Sequence, residues 1–428
     1  MSAWKKLYWI IYLLASVHPL ASQSHIQRRI TLSLGYDEQY NSNEGMKHLP
    51  LTTIQAYSWW VDQVAKLASS SCSRKALVIA DILLHMPYLG KSLNQQDSIW
   101  LLKEKWWPCV PAYHEFGHAR AMRAFAPNNF KGYGVGVNGD PQIQNSVLGY
   151  YFSSLKHLAF VEEAATYGGD APIPHQRLLI YAGGLNNEAR LSKEITDWIY
   201  RSDGHIGYFG AYLRGKICAV TYTSKTISKV IADNIGDIAH INKYYREYNT
   251  DFKLDYIQYG GLASFLLSSS TYAFLQAYWN FIQTGDPTVK TFTWNGVRLP
   301  DINFYFTRNG LSLEVITGYQ FSPNLWANLG LETVYYPKFS AEFTPGVRYV
   351  FPTREYGVFD FDLGVVLNTY GHVAGQIGIE WTDPINPLTL QAKLIYHNAN
   401  TYVGERNITY AHTRNHEAEL MISASFNY

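Results

Sequence analysis

Glu417-Ala418-Glu419-Leu420-Met421-Ile422-Ser423-Ala424-Ser425-Phe426-Asn427-Tyr428 carries Ala418, Leu420, Ile422, Ala424, Phe426 and Tyr428 on one side and Glu417, Glu419, Ser423, Ser425 and Asn427 on the other. Successive strand residues point to opposite faces, so the pattern is that of a strand with one apolar and one polar face. The period recurs toward the amino terminus. Phe359, Phe361, Leu363, Val365 and Leu367 share a face, with Asp360 and Asp362 between them; Leu388, Leu390, Ala392, Leu394 and Tyr396 form another set, and Val373, Ile377, Ile379 and Trp381 a third. Sets beginning at Ile302, Leu311, Leu325 and Phe343 complete about eight strands, parted by turns such as Ser322-Pro323-Asn324. Upstream of residue 290 the period becomes helical, over residues 51–67, 75–84, 112–125, 155–167, 177–200 and 259–281. The expected class is α+β, a mostly helical domain over 25–290 followed by an antiparallel sheet over 291–428.

Segments near the ~9 to 11 residues of a tilted membrane strand, the last ending on an aromatic residue, resemble the C-terminal part of bacterial outer-membrane β-barrels. The resemblance covers roughly the last third of the chain. It implies a closed antiparallel barrel of about eight strands with apolar side chains toward lipid, filled inside and therefore an anchor. A soluble β-sandwich, whose strands alternate likewise, is the competing reading. Aromatic residues make up 15% of the chain and charged ones 16%, a skew toward a membrane interface. Lys5 and Lys6, the apolar run over 7–15 and the small residues Ala21, Ser22 and Ser24 read as a secretory signal peptide over 1–24. Expected partners are outer-membrane lipid and a peptide or protein substrate, at a bacterial cell outer membrane with the helical domain in the periplasm. A net charge of +1 without a long basic stretch argues against nucleic acid. Cys72, Cys109 and Cys218 allow one disulfide at most, and the sequence does not choose the pair.

Within the helical part, His114-Glu115-Phe116-Gly117-His118 has the H-E-x-x-H spacing. Residues four apart lie on one helical face, so both imidazoles can bind one Zn2+ while Glu115 reaches a water beside it. Ala, Arg and Met residues favour helix over 112–125, and Pro111 suits a helix start. A third ligand is needed. Downstream, Gly183-Gly184 lead into a helix that places Glu188 on the face of Leu191, Ser192 and Ile195, where a buried carboxylate calls for a cation.

Asn187-Glu188-Ala189 followed by Ser192 resembles the second helix of gluzincin metallopeptidases. The resemblance implies metal ligands His114, His118 and Glu188 and Glu115 as general base. Ser192 stands where that family has an acidic residue, which keeps Glu194 open as ligand or orienting partner; Glu163, in a segment resembling the E-x-x-A of another gluzincin branch, is a further candidate. His114 to Arg120 with the Gly-rich Tyr133 to Val137 also resembles the first motif of site-2-type intramembrane proteases. That match stops there, because long apolar helices are missing and neither Asp233 nor Asp237 lies in an L-D-G-type motif. The stretch 131–139 is a loop or an edge strand able to hold an extended peptide, and His205, Tyr208 and Tyr212 are candidates for binding an oxyanion. The expected function is zinc-dependent peptide hydrolysis by an exported, membrane-anchored protein. The alternative is a non-enzymatic outer-membrane protein whose helical domain binds a partner and whose H-E-x-x-H is structural or degenerate.

Overall fold

The computed structural model describes residues 29–36, 43–85, 109–125, 130–137, 140–144, 150–151, 153, 158–163, 174–201, 204–223, 236–337, 339–353, 356–369, 373–386, 388–397 and 417–427. The signal-peptide segment over 1–24 and Tyr428 lie outside them. Eight α-helices occur among the described residues: α1 (Asn43–Leu67), α2 (Ser71–His85), α3 (Cys109–Phe125), α4 (Pro174–Tyr200), α5 (Phe209–Tyr222), α6 (Asp237–Tyr248), α7 (Asp255–Leu266) and α8 (Ser269–Thr284). One core joins α1 to α5 and α8 through Ile54, Phe116, Tyr212, Phe274 and Phe281, and a second sets α6 and α7 against α4 through Ile241, Ile257 and Leu185. The region expected as one helix over 259–281 is two, α7 and α8, with Ser268 extended between them.

Residues 155–167, expected to be helical, instead hold the strand β4 (Leu158–Glu163). Leu158-Ala159-Phe160-Val161 is a short apolar run whose period cannot separate helix from strand, and β2 (Phe130–Val137) supplies a pairing partner. β2 is the middle strand of a three-stranded sheet, flanked by β3 (Asp140–Gln144) and β4. Over 131–137 it is therefore neither the loop nor the edge strand that the sequence left open for 131–139. A two-residue pair, β5 (Gly204–His205) with β6 (Thr288–Val289), completes this half.

The large sheet has ten strands in the order β1-β15-β14-β13-β12-β11-β10-β9-β8-β7, antiparallel throughout. These are β1 (Arg29–Tyr36), β7 (Thr293–Trp294), β8 (Val297–Thr307), β9 (Gly310–Ser322), β10 (Leu325–Pro337), β11 (Ser340–Pro352), β12 (Val358–Asn368), β13 (Val373–Thr382), β14 (Leu388–His397) and β15 (Glu417–Asn427). Because β1 pairs with β15, the boundary near 290 does not divide the chain cleanly: the sheet takes its first strand from residues assigned to the helical domain.

The polarity of this sheet is inverted. Asp360, Glu332, Glu342, Ser423 and Ser425 are buried, whereas Leu363 is 55% exposed and Ile422 57%. A sandwich would bury the apolar face under a second sheet, and none covers it among the described residues.

Nor is the sheet closed into the expected barrel. No pairing joins β1 to β7 or β8 among the described residues, because helices occupy the edge that closure would need. Asn186 of α4 mimics a peptide group, donating to Phe306 O at 2.8 Å while its Oδ1 accepts from Phe306 N at 2.9 Å. Ile302 N donates to Ser268 Oγ at 2.9 Å, and Ile302 O accepts from Ser264, Ser268 and the fully buried Lys216. The Tyr245 hydroxyl serves Thr307 N and O. An edge so satisfied has no backbone groups to offer another strand at those positions. Leu178, Leu185, Ile241 and Ile257 pack on Phe304 and Phe306, so the apolar set of β8 faces helices and not lipid. Cys72 and Cys218 are free thiols.

Candidate metal centre

α3 and α4 cross in backbone contact. A Cβ on Gly117 would lie 2.0 Å from Gly183 O, and one on Gly184 would lie 2.3 Å from His114 Nε2. Gly183 and Gly184 thus sit within α4 and do not precede it, at a helix-propensity cost of about 1 kcal/mol each. Their missing side chains let the His114 ring lie against α4.

That approach fixes both rings. His114 Nδ1 is 2.8 Å from Glu188 Oε1, and His118 Nδ1 is 2.7 Å from the carbonyl oxygen of Ile180. Both acceptors favour a proton on Nδ1, which leaves the Nε2 lone pairs for another partner when the rings are neutral. Both Nε2 atoms meet Asp237, whose Oδ2 lies 3.1 Å from that of His114 and 3.3 Å from that of His118. Asp237 is the first residue of α6, after Gly236 at φ 92°, and the helix N-terminus favours its negative charge. Glu115 joins the two histidines in a group whose ligand atoms lie within 4.8 Å of one another.

Glu188 is buried at 1% exposure but stands on the Nδ1 side of His114, and its Oε2 accepts from Arg214 Nε at 3.4 Å. Glu194 lies farther along α4, beside Asp197. Glu163 lies in β4, opposite Phe130. His205 pairs with Asp62 at 3.1 Å and accepts from Gly207 N, Tyr208 packs on Trp198, and Tyr212 bonds Thr271. These partners make the last three packing residues of the α-helical core.

Charge at the centre is set by burial against close ion pairing. Burial opposes the imidazolium of His114, but hydrogen bonds to Asp237 and Glu188, together with their charges, outweigh it and hold its pKa up at about 10. Burial likewise opposes a charged His118, and Asp237 reverses the balance, raising its pKa. For Asp237 burial is overcome by the two histidines, which hold its carboxyl below the usual range. Glu188, also against burial, is lowered by Arg214 and His114. The pocket therefore stabilises positive charge between its carboxylates.

A metal fits the donor set. In a tetrahedral zinc site with bonds near 2.0–2.1 Å, ligand atoms stand about 3.3 Å apart, close to the separations of Asp237 Oδ2 from the two Nε2 atoms. Sequence reasoning weighed Asp237 only against an L-D-G-type motif and set it aside, because the helix that opens with it was not read as one. The signal was there: Asp237 opens an amphipathic run in which Ile238, Ile241 and Tyr245 are buried. It also missed Tyr150, stacked on Tyr133 at 4.8 Å, whose pKa is raised by burial and by the Glu115 charge.

Neither family models, nor characterised proteins, nor solved structures give a match to this chain.

Proposed function

We propose that the chain is a zinc-dependent metallopeptidase-like hydrolase with His114, His118 and Asp237 as metal ligands, Glu115 as general base and Glu188 as an orienting partner. The observation that carries the reading is the convergence of two Nε2 atoms and Asp237 Oδ2 within 3.1 and 3.3 Å. Zinc held by three protein ligands would polarise a substrate carbonyl and acidify water in the open position. Glu115, half-buried on the same helix, would take the proton of the attacking water and return it to the departing amine. Glu188 and the Ile180 carbonyl hold the histidine rings, and Arg214 holds Glu188. Peptide bonds as the substrate rest on the H-E-x-x-H resemblance.

The sheet supports a place at a lipid bilayer, the bacterial outer membrane in this reading. β8 to β15 are 10 to 13 residues long, enough for tilted crossing strands. Of their exposed aromatic residues, Tyr319, Phe321, Tyr349 and Phe351 lie toward one set of turns and Phe343 and Tyr396 toward the other, while Leu331, Phe361, Leu363 and Ile422 lie along the strands. Aromatic rims beside an aliphatic band are what a membrane interface selects. No helix among the described residues is long and apolar enough to cross.

One observation favours a second, non-catalytic reading: all four imidazole nitrogens already have partners within the chain. Metal content decides. The purified protein should hold one zinc per chain, lost in Asp237→Asn and His118→Ala. Glu188→Gln should retain it with about 10- to 100-fold weaker affinity, and Glu115→Gln should keep zinc and lose hydrolysis. Protein free of zinc after exposure to it, or a hydrolytically active Glu115→Gln, would sink the assignment.

A further inference from the structure

Between α4 and the polar face of the large sheet lies a cavity of about 140 Å³. Gly330, Gly346 and Gly364, on three adjacent strands, line it and keep it open; a Cβ at Gly330 would meet Thr344 Cβ at 3.3 Å. A water needs roughly 10–15 Å³ by the same kind of measure, so the space admits an ion of several atoms with water around it.

Three of the cations around it are ion-paired, and Arg298 and Asp197 are left over. Lys193 pairs with Glu314, Arg201 with Asp362 at 3.6 Å, and Arg348 makes a two-pronged contact with Asp360. Arg298 has no carboxylate within 4.0 Å among the described residues, although it is only 5% exposed. Its polar side-chain contact is Nη1 donating to Asn328 Oδ1 at 3.0 Å. The rings of Tyr200 and Trp326, at 5.2 and 5.9 Å, face the cation without accepting its remaining N–H groups in the plane of the fork. The other acid in the wall, Asp197, is outside ion-pair distance of Arg298.

We propose that this cavity is a binding site for one small oxyanion, a carboxylate or a phosphate, held by the guanidinium of Arg298. A buried guanidinium with no carboxylate in contact, Asp197 acting on it only from beyond ion-pair distance, is costly, and its planar fork matches the oxygens of either anion. The site is separate from the metal centre and does not depend on the metallopeptidase reading. α4 joins the two: Glu188 and Lys193 lie more than one helical turn apart on it.

Calorimetric titration of the full-length detergent-solubilised protein with inorganic phosphate and with acetate, at ionic strength held constant by chloride, tests this. One saturable site per chain is expected, weakened at least tenfold in Arg298→Ala. Asn328→Asp, nearly isosteric, sets a carboxylate against Arg298 from within and should weaken binding as much, with the near-ultraviolet circular dichroism of the parent. Saturation by phosphate alone makes the ligand a phosphoryl group, and saturation by both admits any small oxyanion. The proposal is overturned if the parent saturates with neither anion, or if Asn328→Asp binds as tightly as the parent.

Discussion

The two halves of this molecule solve burial in opposite ways. Among the helices an apolar core lies inside, and the largest buried polar group is a linked cluster, with Glu188, His114, His118 and Asp237 each partnered. In the sheet the polar residues are inside and the apolar ones face out, with Asp360 buried and Leu363 exposed on one strand. Most buried polar groups in both halves are bonded, as burial demands; the hydroxyls of Thr196 in the helices and Ser340 in the sheet are exceptions. They differ in what the sheet turns outward, an apolar face that includes Leu363, Ile377 and Ile422. The seam is the β8 edge, where helical side chains replace a neighbouring strand.

Breaking the seam should have the largest effect on stability. Asn186→Leu removes both partners of Phe306, leaving a buried N–H and C=O unpaired in a position 0% exposed at Asn186. At about 1–3 kcal/mol per group the loss is about 2 to 6 kcal/mol. Denaturant titration of the two proteins measures it; a change within about 0.5 kcal/mol would mean that this edge is not held by Asn186.

The contrast in polarity is tested next. If the outward face lies in lipid, Leu363→Arg should cost about 2 to 4 kcal/mol near the bilayer midplane. Folding into vesicles, followed by gel mobility with and without heating, gives the readout. A Leu363→Arg protein that folds like the parent and stays in the soluble fraction would place that face in water. Glu163→Ala sharpens the comparison from the other side and should leave zinc affinity unchanged, since Glu163 sits in β4.

The sequence revealed most of the sheet because period two shows whichever face is buried: Phe359 to Leu367 reads the same against lipid or against a second sheet. Closure was not legible, because it depends on Asn186, Ser268 and Tyr245, whose contacts with β8 span up to 120 residues. At the candidate metal centre, His114 and His118 were legible from one helical turn, and Glu188 as a carboxylate on an apolar face. Which side of His114 it approaches was not, since that follows from the Gly117–Gly183 contact. Asp237 hid at the start of a short polar helix, without the flanking residues of a known motif.

The smallest effect concerns Asp197, where the two halves face each other across the cavity. Burial, aided by Glu194, pushes its carboxyl up to about 6, against an ordinary value of 3.8. The folded protein therefore holds a proton there that the unfolded chain has released, so stability falls as pH rises from about 4 to about 6 and the loss persists above it. A shift of this size corresponds to about 2 kcal/mol once partial exposure is allowed for. Asp197→Asn keeps the shape and cannot ionise. It should match the parent near pH 4 and exceed it by about 2 kcal/mol at pH 7, with the difference growing between those values. Unfolding midpoints in urea from pH 4 to 8 measure this, and parallel profiles for the two proteins would show that Asp197 is as well solvated folded as unfolded.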